Sequence, residues 1–196
     1  MGKAERSTTM KGYPTTASLR WLYRSPIVLW RLGLGPIVGQ ILLLLTHTGR
    51  KSGRPRRTLI EYHSLDGHYY APCAFGPRSD WYQNIVADPR VTIQTAAGTR
   101  SAHAQRVTTD RELLSVYRLF KRRNPLLLSW YLGSLDIPED EAAILANKAH
   151  IYWIRFDPSK AITPPPLPAD RIWFWPALGA LLLAVRFLRR RFPRAR

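Results

Sequence analysis

At 196 residues the chain suits one domain with tails, and a hydrophobic share of 45% is enough to build a core. Thirty Lys and Arg against 13 Asp and Glu leave a net charge of +17, a balance that demands an anionic partner: nucleic acid, an anionic membrane surface or a polyanionic cofactor. The single Cys73 excludes an internal disulfide framework and a multi-cysteine zinc site.

In chain order, the first twenty residues are polar and basic and show no apolar signal-peptide core. Residues 1–16 have few apolar anchors and are expected to be mobile. Residues 18–31 set Trp21, Tyr23 and Trp30 beside Arg20, Arg24 and Arg31. Such a segment suits either a membrane interface or a helix packed on the domain with its cations in water. Gly33, Gly35 and Pro36 interrupt it. Residues 40–46 read as a buried strand and 57–64 as the next. Asp66-Gly67 is a hairpin turn leading into a third strand over 68–75. Asp80 and Gln83 resemble a capping box for a helix over 80–87, stopped by Asp88-Pro89. Strands over 91–95 and 101–107 form a second hairpin turning at Ala97-Gly98. Thr109 and Glu112 suggest another capping box, opening a helix to about Arg123. Asp136 and Pro138 mark a further helix start, and 150–156 is the last strand. Four prolines in 163–168 predict a stiff extended linker.

Between the first two strands lies LLLLTHTGRKSGRPRR, residues 42–57. Glycines there let the backbone approach a ligand, and Arg50, Lys51, Arg54, Arg56 and Arg57 can grip phosphate or carboxylate. The spacing is neither a Walker loop nor a dinucleotide fingerprint. Taken alone, the pattern fits an anion cradle or a solvated basic loop. His68, His103 and His150 show no metal-ligand spacing, so no metal is expected.

TGRKSGRPR at 48–56, the Asp-Gly hairpin, and DWYQNIVADPRVTIQ at 80–94 together resemble the deazaflavin (coenzyme F420)-dependent nitroreductase and quinone reductase family, over residues 42–158. The resemblance implies a mainly β fold with flanking helices, a split β-barrel related to flavin-binding reductases. It also implies coenzyme F420, with FMN as the less favoured alternative. On it, Thr48, Arg50, Lys51, Ser52 and Arg56 fall on the segment that holds the phosphate and glutamyl tail. Ala71, Pro72, Cys73, Ala74 and Gly76 fall where the backbone lies along the deazaflavin ring. Trp81 and Tyr82 fall on an aromatic pair near that ring. Three positions depart from the family's habit. Ala74 and Phe75 stand where serine and lysine often occur, and Glu61 replaces a pocket tyrosine.

Two side chains are candidates for chemistry. Glu61, two residues from His63 on a strand, can handle a proton if their shared face lines the pocket. Tyr117 and Tyr131 fall in the region of the family's active-site tyrosine; Tyr131, beside Trp130, is the better candidate for lining the substrate pocket, with plain core packing as the alternative. His47, just before the cradle, is either a phosphate donor or an ordinary loop histidine. Cys73 reads as a small core residue, since no flanking cation lowers its pKa.

The domain plan is a basic amphipathic segment (1–36), a deazaflavin-binding split barrel (37–158), a proline linker (159–170) and an apolar-basic tail (171–196). In the tail, fourteen apolar residues (172–185) precede six arginines between 186 and 196. That pattern predicts attachment to the cytoplasmic face of the plasma membrane, or a helix covering the domain or a homodimer seam. The expected activity is hydride transfer from the reduced coenzyme to a small hydrophobic quinone- or nitroaromatic-like acceptor. From another class, the alternative is a non-catalytic protein binding lipid or another cofactor on the same barrel, motivated by Ala74, Phe75 and the apolar segments. Nucleic-acid binding rests on charge alone, with no recognisable module, and is not expected.

Overall fold

The computed structural model describes residues 27–191. The expectations for residues 1–16, for most of 18–31, and for Arg194 and Arg196 lie outside them. Seven strands form one mainly antiparallel sheet: β1 (Leu42–Thr48), β2 (Pro55–Glu61), β3 (His63–Leu65), β4 (His68–Pro72), β5 (Arg90–Thr95), β6 (Gly98–Arg106) and β7 (Trp153–Pro158). Their order is β2-β1-β5-β6-β7-β4-β3. The two edge strands are consecutive in sequence, separated only by Tyr62. The chain thus passes from one edge of the curled sheet to the other without a ladder closing it.

The leucine run explains itself by alternation. Leu43 and Leu45 enter the sheet's concave core with Ile93, Ala104 and Phe156, while Leu44 faces the other way, against Trp30 and Leu167. Both faces of β1 are covered, so its apolar run is continuous. The Asp-Gly turn is as expected: Asp66 and Gly67 both have positive φ, 50° and 81°, and Leu65 pairs with His68. The second hairpin turns one residue earlier than the composition suggests. Thr95 pairs with Gly98, leaving Ala96-Ala97 as the loop.

Helices cover the ends and the convex face: α1 (Gly35–Val38), α2 (Asp80–Ala87), α3 (Asp110–Arg123), α4 (Pro125–Gly133), α5 (Glu141–Ala146) and α6 (Phe174–Arg191). Residues 80–87 and the end at Arg123 are as predicted, but neither capping box forms. Ser79 holds the N-cap position of α2, and Gln83 Nε2 instead donates to the Pro77 carbonyl at 2.7 Å. Glu112 turns to the sheet, where Oε1 accepts from Arg155 Nη1 at 2.7 Å and from the Tyr70 hydroxyl at 3.1 Å. A part-buried arginine needing a carboxylate outweighs one exposed helix amide. Asn124 and Pro125 end α3 and at once start α4, the Asn124 side chain accepting from the Leu127 amide at 3.0 Å. Helix α5 starts at Glu141, later than Asp136-Pro138 suggested, with the Asp140 carboxylate capping the Ala143 amide at 2.8 Å.

The proline segment is extended and docked. Thr163 Oγ1 bonds Thr92 at 2.7 Å and Ser101 at 2.9 Å, and Leu167 exchanges two bonds with the Gln94 side chain, 2.7 and 3.0 Å. Prolines cannot donate to a ladder, so side-chain amides and hydroxyls hold this strap instead. Helix α6 follows. No helix among the described residues is long and apolar enough to cross a membrane.

Candidate functional site: a braced cationic cleft

The cradle loop is a tight turn closing the Thr48–Pro55 pair. Gly49 N donates to the Arg54 carbonyl at 2.9 Å, and the Ser52 and Gly53 amides both donate to the Gly49 carbonyl, at 3.0 and 2.8 Å. Gly53 sits at φ 63°, a conformation that L side chains rarely adopt. The loop folds against α2 through one buried amide. Asn84 Oδ1 accepts from Arg50 N and Arg50 Nη1, both at 3.0 Å, and Asn84 Nδ2 lies 3.2 Å from His47 Nδ1. With the amide donating, His47 Nδ1 is the acceptor, a neutral tautomer. Burial, with a smaller contribution from the nearby Arg56 charge, pushes the His47 pKa down to about 4, so His47 is uncharged at neutral pH.

Arg50 differs from its neighbours. It lines the same cleft as Lys51 and Arg56, but its guanidinium also reaches Asp80, Nη2 to Oδ1 at 3.1 Å, and so pins the loop to α2. Lys51, Arg56 and Arg57 have no ion-pair partner among the described residues, and Arg57 Nε is buried without an acceptor. These three, with His47, Ser52 and Trp81, line a cleft of about 660 Å³. Ile27, Arg31 and Leu167 form its other wall. Clustered cations left without carboxylates repel one another, and an anion entering the cleft relieves that cost.

The remaining sequence candidates lie elsewhere. Thr48 ends β1, paired with Pro55. Ala71 and Cys73 are buried in the concave core, and Ala74 packs on the helical layer. The strand expected over 68–75, β4, stops at Pro72 because the chain turns: Cys73 N donates to the Tyr152 carbonyl at 2.7 Å and Gly76 N to the Cys73 carbonyl at 2.9 Å. A Cβ on Gly76, at φ 48°, would come within 2.9 Å of the Tyr152 ring. Burial raises the Cys73 thiol to about 12, which makes it an inert core residue. Tyr82 does not line the cleft; its ring meets Tyr152 edge-on at 5.2 Å.

Tyr131 is not placed to touch a substrate. It is 1% exposed, packed in the helical layer with its ring tilted against Trp153, and its hydroxyl accepts from the Tyr152 amide at 2.8 Å. Burial raises its pKa, so the phenol is fixed as a neutral acceptor. Glu61 and His63 do share a face, 3.4 Å apart, but outside the cleft's lining. Burial raises the Glu61 pKa, yet His63 and the Asn124 amide, 2.7 Å away, outweigh it and leave it below the ordinary carboxylate value.

Sequence reasoning missed Asn84, although it stands three residues after Trp81 within the motif. A short polar residue on an amphipathic helix carries no sign of burial. It also missed Ile27, Arg31 and Leu167, which reach the cleft only through long-range docking.

In fold, the chain is similar to a solved F420-H2 dependent reductase (20% identity, TM-score 0.46, 59% of this chain and 93% of that one). It is similar also to a FAD-binding protein from Mesorhizobium loti (16%, 0.42, 66% and 89%) and to a structure described as a domain-swapped dimer (18%, 0.49, 72% and 100%). An open antiparallel sheet carrying a cationic glycine loop braced on a short helix places the chain in the split-barrel class. Residues 31–129 match the F420H(2)-dependent quinone reductase model, and the chain belongs to that family. It is therefore an oxidoreductase dependent on coenzyme F420, and the non-catalytic reading gives way. The cleft fits the coenzyme: a phosphate and glutamate chain supplies the carboxylate and phosphate oxygens that Lys51, Arg56, Arg57 and Ser52 lack.

Proposed function

We propose that this reductase serves a small apolar acceptor of the quinone or nitroaromatic class at the cytoplasmic face of the plasma membrane. The observation that carries the reading is the pairing of the cationic cleft with a neighbouring apolar surface. Ile27 and Arg31 line the cleft, and the same segment is bonded to the start of α6, where Trp175 and, just before the helix, Trp173 are exposed. The reduced coenzyme supplies the hydride when bound. Lys51, Arg56 and Arg57 hold its anionic groups, and Ser52 can donate to the same oxygens. Asn84, Arg50 and neutral His47 keep the loop in shape, and Trp81 excludes water from the cleft wall. No nucleophile or metal is assigned a step.

Titrating the purified full chain with coenzyme F420, and separately with FMN, tests the cleft assignment. Saturable binding of the deazaflavin and none of FMN is expected. FMN binding alone would overturn it. Following oxidation of the reduced coenzyme with a series of quinones and nitroaromatics of rising hydrophobicity tests the acceptor class. Rates should rise with partition into bilayer vesicles, and a preference for charged, water-soluble acceptors would refute it.

A further inference from the structure

The apolar surface is not spread evenly. Of fourteen large apolar side chains exposed among the described residues, four lie in 28–41 and six in 172–183. These stretches are far apart in sequence but joined in space. The Arg31 guanidinium forms a two-point pair with the Asp170 carboxylate, with Nε to Oδ1 at 2.8 Å. Arg171 N donates to the Arg31 carbonyl at 2.9 Å, and Trp175 Nε1 to the Leu32 carbonyl at 2.8 Å. Ile172 packs so close to Gly33 that a Cβ there would meet it at 3.1 Å. Further along the first stretch, the Ala96 amide donates to the Gly39 carbonyl at 2.9 Å, which fixes the stretch to the sheet.

We infer that residues 28–41 and 172–183 form one composite docking face for an anionic bilayer, locked together by the Arg31–Asp170 pair. The inference rests on the membrane reading above but differs from attachment by the tail alone, because it gives part of the contact to residues 28–41, Ile37 and Ile41 foremost. A lipid surface is the occupant that fits. Rings at headgroup depth flanked by cations match an anionic leaflet. Six arginines follow the apolar run within residues 186–196, and the chain as a whole carries +17. A second copy with the same charge would bring like charges together across the seam. The cleft, sharing Arg31 with this face and lined by the adjacent Ile27, then opens beside the bilayer, where an apolar acceptor is concentrated.

The test is sedimentation of the full chain with vesicles of equal parts phosphatidylcholine and phosphatidylglycerol. Ile37 and Ile41 are 66% and 64% exposed, so Ile37→Asp and Ile41→Asp should fold normally, checked by an unchanged urea midpoint. Each should weaken vesicle binding about tenfold, the scale of one apolar side chain leaving the interface. Asp170→Lys discriminates by sign. General attraction to an anionic surface predicts tighter binding from the added positive charge, whereas the lock predicts weaker binding, restored in the swapped pair Arg31→Glu with Asp170→Lys. If both isoleucine variants bind like the parent while Trp173→Ser does not, the tail alone docks and this inference falls, though the membrane reading stands. If the parent itself ignores the vesicles, both fall. If the parent is a dimer that Ile37→Asp separates without any vesicle binding, the face is a subunit seam and the inference is overturned.

Discussion

The cleft and the helical layer use the same residue types to opposite ends. In the layer, Tyr131, Phe120 and Trp153 are at most 1% exposed, with the Phe120 and Tyr131 rings stacked or tilted against Trp153 at centroid distances of 6.1 Å. In the cleft, Trp81 is only half-buried and stands near Lys51, Arg56 and Arg57, which have no ion-pair partner among the described residues. A tyrosine in the first region is a wall; an aromatic in the second is a surface for a ligand. Burial and the fate of the polar atom decide the role, not the side chain's intrinsic chemistry.

The contrast can be broken most forcefully from the dry side. Trp153→Ala should cost about 3–5 kcal/mol of stability through the cavity it leaves. Tyr131→Phe, which strands the Tyr152 amide, should cost about 1–3 kcal/mol. Urea midpoints measure both. In surviving folded protein, coenzyme affinity should be unchanged by Tyr131→Phe, and a loss of affinity at equal stability would return Tyr131 to the site.

Next in size is the pH response of His47. Its folded pKa of about 4 lies below the ordinary 6.5, so between those values the unfolded chain holds more protons. Stability is therefore full above the ordinary value and falls as pH drops through the window, by about 3 kcal/mol if the whole shift is realised. Urea midpoints taken across the window should slope in the parent and flatten in His47→Asn. Equal slopes would mean that the histidine is not the group responsible.

The arginines divide the cleft itself. Lys51→Ala and Arg56→Ala should each weaken coenzyme binding roughly ten- to a hundredfold, on the order of 1.5–3 kcal/mol, with little change in stability. Arg50→Ala should lower both affinity and stability, because it releases the loop from Asp80 and Asn84. Calorimetric titration and thermal melts on all three separate the groups; identical behaviour of Arg50 and Lys51 would erase the distinction. Smallest is Gly53→Ala, at about 1 kcal/mol. It has no steric clash to cause, only a left-handed backbone to strain. A melt shift as large as that of Trp153→Ala would contradict it.

Much of the architecture was legible locally. Asp66-Gly67 announces its hairpin, 80–87 its helix, and Asn124-Pro125 the break between α3 and α4, because turns and helix ends are set by φ preferences and missing amide donors that act within a few residues. The cationic loop was readable for the same reason, and its motif named the family. Other features lay beyond any local signal. Glu112 abandons its helix end for Arg155, forty-three residues away, and Arg50 spends its charge on Asp80. The proline strap lies on Gln94, and Arg31 meets Asp170 across 139 residues. Such pairings follow from which buried charges and amides the folded chain brings together, and that depends on how the sheet curls. The sequence by itself determined the elements, the charge and the coenzyme class. Only the tertiary structure decided which cations remain open to a ligand and which tyrosines are sealed, since desolvation acts on position in space and leaves no mark on residue order.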